Sequence, residues 1–441
     1  MLQIVVNMNI KKRFQIVLLI LALTLYFQVS YACSMYKVTV GNTTMVGCNE
    51  DAWRLTSRIW FENATNNSKY GAGFTGSRIV SKNKFAPQSG MNEVGLAFSR
   101  LTAFHPKLEE NIEKSTKKIT DPIFYLKDIL HNCKTVEDVQ EYIAQFDYSY
   151  FLTDVFIYVD QSGKYLIVEP YKLTIGNDPY YVLGNFCPTI TKNEEARNQA
   201  RYRNGEDFLK SNTIDASLAF CTALSDTMHV SRKRNGDGTL LTAIWDLKNG
   251  TTNLFFYHDY HNNVQFNLKN ELLKGDHIIE IPSLFPTNTE FERLATYTTP
   301  FNNPALRILL LLLGGFFTLS SLYFLVSYFR KTKFDQFNPI KLVLSGLGIF
   351  LTYYMFVLAT NIGIYYFDAP YQHYNSKLIS LSSYLPFLLI ILIIPLSFLN
   401  IKIIKNRAWS LTSIGILTIN NIFYISLIGL FVYWGLFDVL N

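Results

Sequence analysis

Four apolar stretches in the last third of the chain, residues 305–328, 342–366, 378–399 and 411–437, limit its architecture more than any other feature. Each supplies the ~20 residues that a helix needs to cross the hydrocarbon of a bilayer. The sequence therefore predicts an all-α membrane region at 301–441. The loop after the first stretch carries Arg330, Lys331, Lys333 and Lys341, and the loop after the third carries Lys402, Lys405 and Arg407. The loop between the second and third holds Asp368 and, at its membrane end, Lys377. Basic loops stay on the cytoplasmic side. The first helix is thus expected to enter from outside, leaving both ends of the processed chain extracytoplasmic. Tyr366, Trp409 and Trp434 fall near span ends, where aromatic rings suit the interface. Asn420 and Asn421, inside the fourth span, are read as helix–helix hydrogen-bonding groups, with a functional polar site as the alternative.

A chain of 441 residues is too long for one ordinary domain, and its hydrophobic share of 49% is concentrated after Pro304. The formal net charge is +6. The basic residues of the two loops and of an N-terminal patch (Lys11, Lys12, Arg13) outnumber that excess, so the remainder is near neutral and no nucleic-acid partner is expected. The patch precedes an apolar run, 14–29, and then Ser30 and Ala32, small residues at the third and first positions before a cut. That is the layout of a secretory signal peptide, 1–32. It agrees with the membrane topology in exporting the segment that follows.

Cleavage after Ala32 makes Cys33 the first residue of the mature chain. Thiol and α-amine then share one residue. The amine, with a pKa near ~8, can take the thiol's proton, which is the chemistry of an N-terminal nucleophile. Two other readings stand beside it. One is a cysteine that merely lies near a cleavage site; the other is an acylated lipoprotein cysteine, although Ser30-Tyr31 fits a lipobox poorly. The remaining cysteines, Cys48, Cys133, Cys187 and Cys221, are either free buried thiols or two disulfides of open connectivity.

Residues 33–300 read as one extracytoplasmic globular domain. Runs 34–40 and 43–47 flank Gly41-Asn42, a two-residue hairpin signal. Further strands are expected at 95–101, 151–159, 165–168 and 180–184. Run 239–246, then Asn249-Gly250, then 253–257 form a hairpin. Helices are expected at 121–132, 193–210 and 214–224, and a capping box opens another at Thr135, with Asp138 in the place of Glu. Two strand groups with helical blocks indicate an α+β layered domain. The polar, Pro-containing segment 287–304 reads as a linker.

Four local patterns bear on chemistry. Gly47-Cys48-Asn49-Glu50-Asp51 follows the first hairpin, so Asp51 returns toward Cys33; the simple alternative is an Asx turn. Gly90-Met91-Asn92-Glu93-Val94-Gly95-Leu96 turns into a strand. Asn185 ends a strand after Val182-Leu183-Gly184, where its amide suits an oxyanion or a turn. Arg201 lies in a charge-rich helix, where a solvated arginine is the default. His258 and His261 have metal-like spacing but no third ligand, and no metal or cofactor is expected.

In this order the patterns resemble the choloylglycine hydrolase superfamily, which includes bile salt hydrolases, penicillin V acylases and acid ceramidase-like amidases, over about residues 33–265. Asp160 and Glu169, with the strand pair 154–168, add to the likeness. The resemblance implies an N-terminal-nucleophile (Ntn) αββα sandwich that hydrolyses linear, non-peptide amides. It implies Cys33 as nucleophile, its amine as base, Asp51 as the residue holding that amine, and Asn185 as an oxyanion donor. Arg201 answers to the family's later arginine, with Arg197 and Arg232 as rivals. Two departures, Cys48 where many members have Arg and Thr102 where bile salt hydrolases have Asn, argue against bile-salt specificity. The expected partners are a small acyl-amide substrate and the lipid bilayer. The alternatives are an acyltransferase or peptidase of the same fold, and an inactive sensor domain on a membrane module. Oligomeric state is left open.

Overall fold

The computed structural model describes residues 33–52, 54–81, 84–103, 117–170, 172–231, 238–330, 336–366 and 376–437. The signal segment 1–32, Lys331, Lys333, Asp368 and Arg232 lie outside them. The described residues divide into two units, one ending at Ala295 and the other running from Thr296 onward.

The first unit is built on two antiparallel sheets. β1 (Ser34–Val40) and β2 (Thr43–Asp51) form the expected hairpin, with Val40 paired to Thr43. Gly41 takes the left-handed φ of +57° that so tight a turn requires. They sit inside a six-stranded sheet ordered Tyr180–Leu183, β1, β2, Thr239–Asp246, Thr251–Phe256, Asp259–Asn267. The second sheet has eight strands. Its order is Lys172–Gly176, Tyr165–Glu169, Asp154–Val159, Ala97–Thr102, Ser89–Asn92, Ala72–Gly76, Arg58–Glu62, His277–Glu280.

Period-two alternation gives each sheet a helix-covered face and a face toward the other sheet. On the first sheet, Tyr36, Val38, Met45 and Ile244 pack with Leu209, Cys221 and Leu224 of helices Ala200–Ser211 and Leu218–Thr227. On the second, Phe74, Phe98, Tyr158 and Leu166 pack with Leu126, Ile129, Val139 and Ile143 of helices Pro122–Asn132 and Val136–Ala144. Each of these helices begins on the cap its sequence offers. Asp121 accepts from the Ile123 and Phe124 amides, and Thr135 and Asp138 close their capping box. Between the sheets, Trp245 Nε1 donates to Ser89 Oγ (3.3 Å) and Lys37 Nζ to the Gly163 carbonyl (2.8 Å). The layers therefore run helix, sheet, sheet, helix, an α+β sandwich.

Two expectations change, and a third, left open between free thiols and disulfides, is decided. Segment 287–304 contains a helix, Thr289–Thr296, whose Leu294 is buried. The expected helix 193–210 is two pieces, Asn193–Ala196 and Ala200–Ser211, because Gln199 leaves helical geometry to bind Asn185 (below). All five cysteines are unpaired buried thiols.

The second unit holds four helices long and apolar enough to cross a membrane: Pro304–Phe329, Pro339–Thr360, Lys377–Asn406 and Leu411–Tyr433. The third is interrupted after Ser382 and resumes at Leu385. Gly348 lets the first two meet closely, since a Cβ there would lie 2.1 Å from Ser321 Oγ. Asn420 Nδ2 donates to Ser320 Oγ on the first helix (2.6 Å), as the helix–helix reading expects.

Candidate active site

Cys33 stands at the start of β1 and Asp51 at the end of β2, so the hairpin register alone brings them together. Cys33 N donates to Asp51 Oδ2 (3.1 Å). That nitrogen is a peptide nitrogen in the uncut chain and is the atom that an N-terminal Cys33 would carry as its amine. Arg201 Nη1 approaches the same oxygen (3.4 Å), and Thr239 Oγ1 donates to Asp51 Oδ1 (2.6 Å). Thr239 reaches Asp51 through a β-bulge: Leu241 pairs with Glu50 and Thr239 with Asp51, skipping Leu240. The extra residue turns Thr239 onto the Asp51 side.

Arg201 is buried, not solvated as a charge-rich helix would suggest. Its Nη2 donates to Asn185 Oδ1 (2.9 Å). Asn185 is held at three further points. Its Nδ2 donates to the Thr102 carbonyl (2.7 Å), its backbone N–H to Gln199 Oε1 (3.0 Å), and its carbonyl accepts from Gln199 Nε2 (3.1 Å). Gly184 makes room for this clamp, since a Cβ there would stand 2.6 Å from Gln199 Oε1. Asn185 thus ties the edge of the first sheet to the end of strand Ala97–Thr102 in the second.

The four expected site residues, Cys33, Asp51, Asn185 and Arg201, form one connected group. Of the rivals, Arg197 lies at the surface with Glu206 and Asp207, and Arg232 falls outside the described residues. His258 pairs with Glu290 (2.8 Å), and no group of three metal-ligating side chains occurs among the described residues. Asp160 accepts from Ser162 and Val136, and Glu169 from Thr189, both structural tasks.

Four residues escaped the sequence reading. Gln88 Nε2 lies 3.6 Å from Cys33 Sγ and also donates to the Arg100 carbonyl. Thr239, Gln199 and Glu50 are the others. Glu50 lies inside the run 47–51 that follows the expected hairpin, but the sequence marks no role for it.

Burial pushes the Cys33 thiol well above the usual range, and Asp51, Cys48 and Glu50 add to the effect. The thiol is therefore neutral at rest, and any attack by it would need a base beside it. Cys48 is pushed by burial up to about 12, which leaves its thiol unreactive.

No protein-family model matches the chain, and no curated protein matches it. Solved structures do. Two variants of the conjugated bile acid hydrolase from Clostridium perfringens align over 58% of this chain and 97% of theirs, with 17% and 16% identity and TM-scores of 0.44. Penicillin V acylase from Agrobacterium tumefaciens aligns over 51% of this chain and 82% of its own, with 18% identity and a TM-score of 0.38.

Proposed function

We propose that this protein is a membrane-tethered amidohydrolase with an N-terminal cysteine nucleophile, acting on a linear acyl amide. The observation that carries the reading is the buried link from Cys33 N to Asp51, from Asp51 to Arg201, and from Arg201 to Asn185. Removal of 1–32 turns the Cys33 nitrogen into an amine already oriented by Asp51. It also releases the strain of a non-glycine residue at φ +82°, since a chain end has no such torsion; a strained backbone of this kind costs about 1–3 kcal/mol.

In the proposed reaction the amine takes the thiol proton as sulfur attacks the acyl carbon. One Asn185 N–H is engaged by Thr102, and the other remains for the developing oxyanion. The C–N bond then breaks, the leaving nitrogen takes the proton back from the ammonium, and a thioester remains on Cys33. Water, deprotonated by the same amine, releases the acid and restores the thiol. The four apolar helices would hold this domain at a membrane, on the extracytoplasmic side.

The test keeps Cys33 and inserts one residue between Ala32 and Cys33. Cleavage then leaves Cys33 with an amide nitrogen, which is not basic near neutral pH. Turnover should vanish while the domain stays folded. A fully active extended variant, its extra residue confirmed by mass spectrometry, would falsify the mechanism. Added amine acceptors separate transfer from hydrolysis.

A further inference from the structure

Glu50 is buried at 3% exposure on β2, next to Asp51 in sequence but facing the other way. Asp51 turns toward the helix carrying Arg201, whereas Glu50 crosses to the second sheet, where its Oε1 accepts from the Ser77 backbone N–H (3.2 Å) and from Ser77 Oγ. Ser34 pairs with Asn49, so one step further along the ladder Glu50 stands opposite Cys33. The thiol meets the second sheet close by. Gln88, which touches Sγ, donates its backbone N–H to Thr75, two residues before Ser77. The second carboxyl oxygen, Oε2, has no hydrogen-bond partner among the described residues. A buried carboxylate oxygen left unmatched is costly, and the Glu50 charge acts on the Cys33 thiol.

We propose that Glu50 makes this site selective for amides: its Oε2 accepts a hydrogen bond from the N–H of the scissile amide, while Ser77 holds Oε1. The inference rests on the proposed function and names the part of the substrate that the site reads. The bond strengthens along the reaction. In the bound amide the nitrogen is planar and its N–H neutral. In the tetrahedral adduct it becomes basic, and once protonated it carries positive charge toward the carboxylate. An interaction stronger in the transition state than in the ground state raises turnover. An ester has no N–H and sets an oxygen lone pair against the carboxylate, a repulsion that rejects it. Burial raises the Glu50 carboxyl above its ordinary range, with Ser77 and the guanidinium groups of Arg54 and Arg78 opposing the rise.

The test uses the full, processed chain in detergent with para-nitroanilides and the matching para-nitrophenyl esters, from acetyl to lauroyl. Glu50→Gln keeps the shape and the acceptor for Ser77 but replaces Oε2 by a donor. The amide-to-ester ratio of kcat/KM should fall about tenfold to a hundredfold, the range for a hydrogen bond to a charged group. A second measurement needs no variant: wild type should prefer each anilide to its N-methyl analogue by tenfold or more. A ratio unchanged in Glu50→Gln, with Cys33 still acylated by the ester, overturns the role of Glu50 and leaves the proposed function standing. Parallel loss of both activities also overturns it, since that is what a structural residue would do. Failure of wild type to acylate Cys33 with either probe overturns both.

Discussion

Asp51 orients the Cys33 nitrogen and faces the buried guanidinium of Arg201, whose side chain is only 4% exposed. Removing its charge should therefore act twice. Asp51→Asn is expected to cut turnover about a hundredfold or more, the scale of a lost positioned proton-transfer group. It should also lower stability by about 3–5 kcal/mol, because the buried Arg201 loses its ion pair with Asp51. Denaturant titration of Asp51→Asn, Arg201→Met and the double variant separates the effects. The double variant should recover part of the stability and none of the turnover; strictly additive losses would mean the two residues are not coupled. The pH dependence follows from the thiol. Burial and the neighbouring carboxylates raise its pKa well above the usual range, so a free thiolate is not the species that titrates in the working range. The rate should instead rise through amine deprotonation near pH ~8, and a rise displaced toward the thiol's own ionisation would contradict the amine's role.

At the scale of elements, the hairpin of β1 and β2 was legible because a Gly-Asn turn fixes register, and register brings Cys33 to Asp51. The helix caps at Asp121 and Thr135 were legible for the same local reason. What was hidden is non-local. Nothing near Thr239 marks the bulge that turns it to Asp51, and nothing in 193–210 marks a break at Gln199, because the reason for that break is Asn185 on another element. Gly184→Ala tests the break. The added Cβ should displace Gln199, loosen Asn185 and lower kcat about tenfold with little change in KM, as expected when an oxyanion donor is misplaced rather than removed. A fall in apparent kcat that disappears when the rate is normalised to the folded, titratable fraction would point to simple unfolding. Lys37 tests the contact between sheets. Its pKa is lowered from 10.5 to about 8, chiefly by burial. At Lys37 the unfolded chain therefore binds more protons between these values, and this group's own contribution to stability should rise with pH across that window, against the opposite slope of the buried Cys33 and Cys48 thiols. In Lys37→Met, which keeps the apolar stem, that rise should disappear from a series of urea titrations.

At the scale of the whole molecule, the proposed function makes one demand: the domain with Cys33 must lie on the side where a signal peptidase cuts. Four spans return the chain to the side from which it entered, and the charge of the loops decides which side that is. Arg330, Lys331, Lys333 and Lys341 follow the first span, and Lys402, Lys405 and Arg407 follow the third, whereas the second and third are joined by a stretch with Asp368 and Lys377. In the proposed arrangement both basic loops are cytoplasmic, which would export the first unit, with the apolar run 14–29 as the proposed export signal. Paired reporters active on only one side of the membrane, fused at Lys333 and His373, should give opposite signals. Fusion after Leu436 should match His373. A charge-swap control sharpens the test: replacing Arg330, Lys331 and Lys333 by Glu while adding three Lys around His373 should weaken or invert the pattern, and the yield of chains beginning at Cys33 should fall with it. Equal signals at Lys333 and His373 in the natural sequence would sink the four-span arrangement, whereas reversed signals would put Cys33 in the cytoplasm, where no signal peptidase could free its amine.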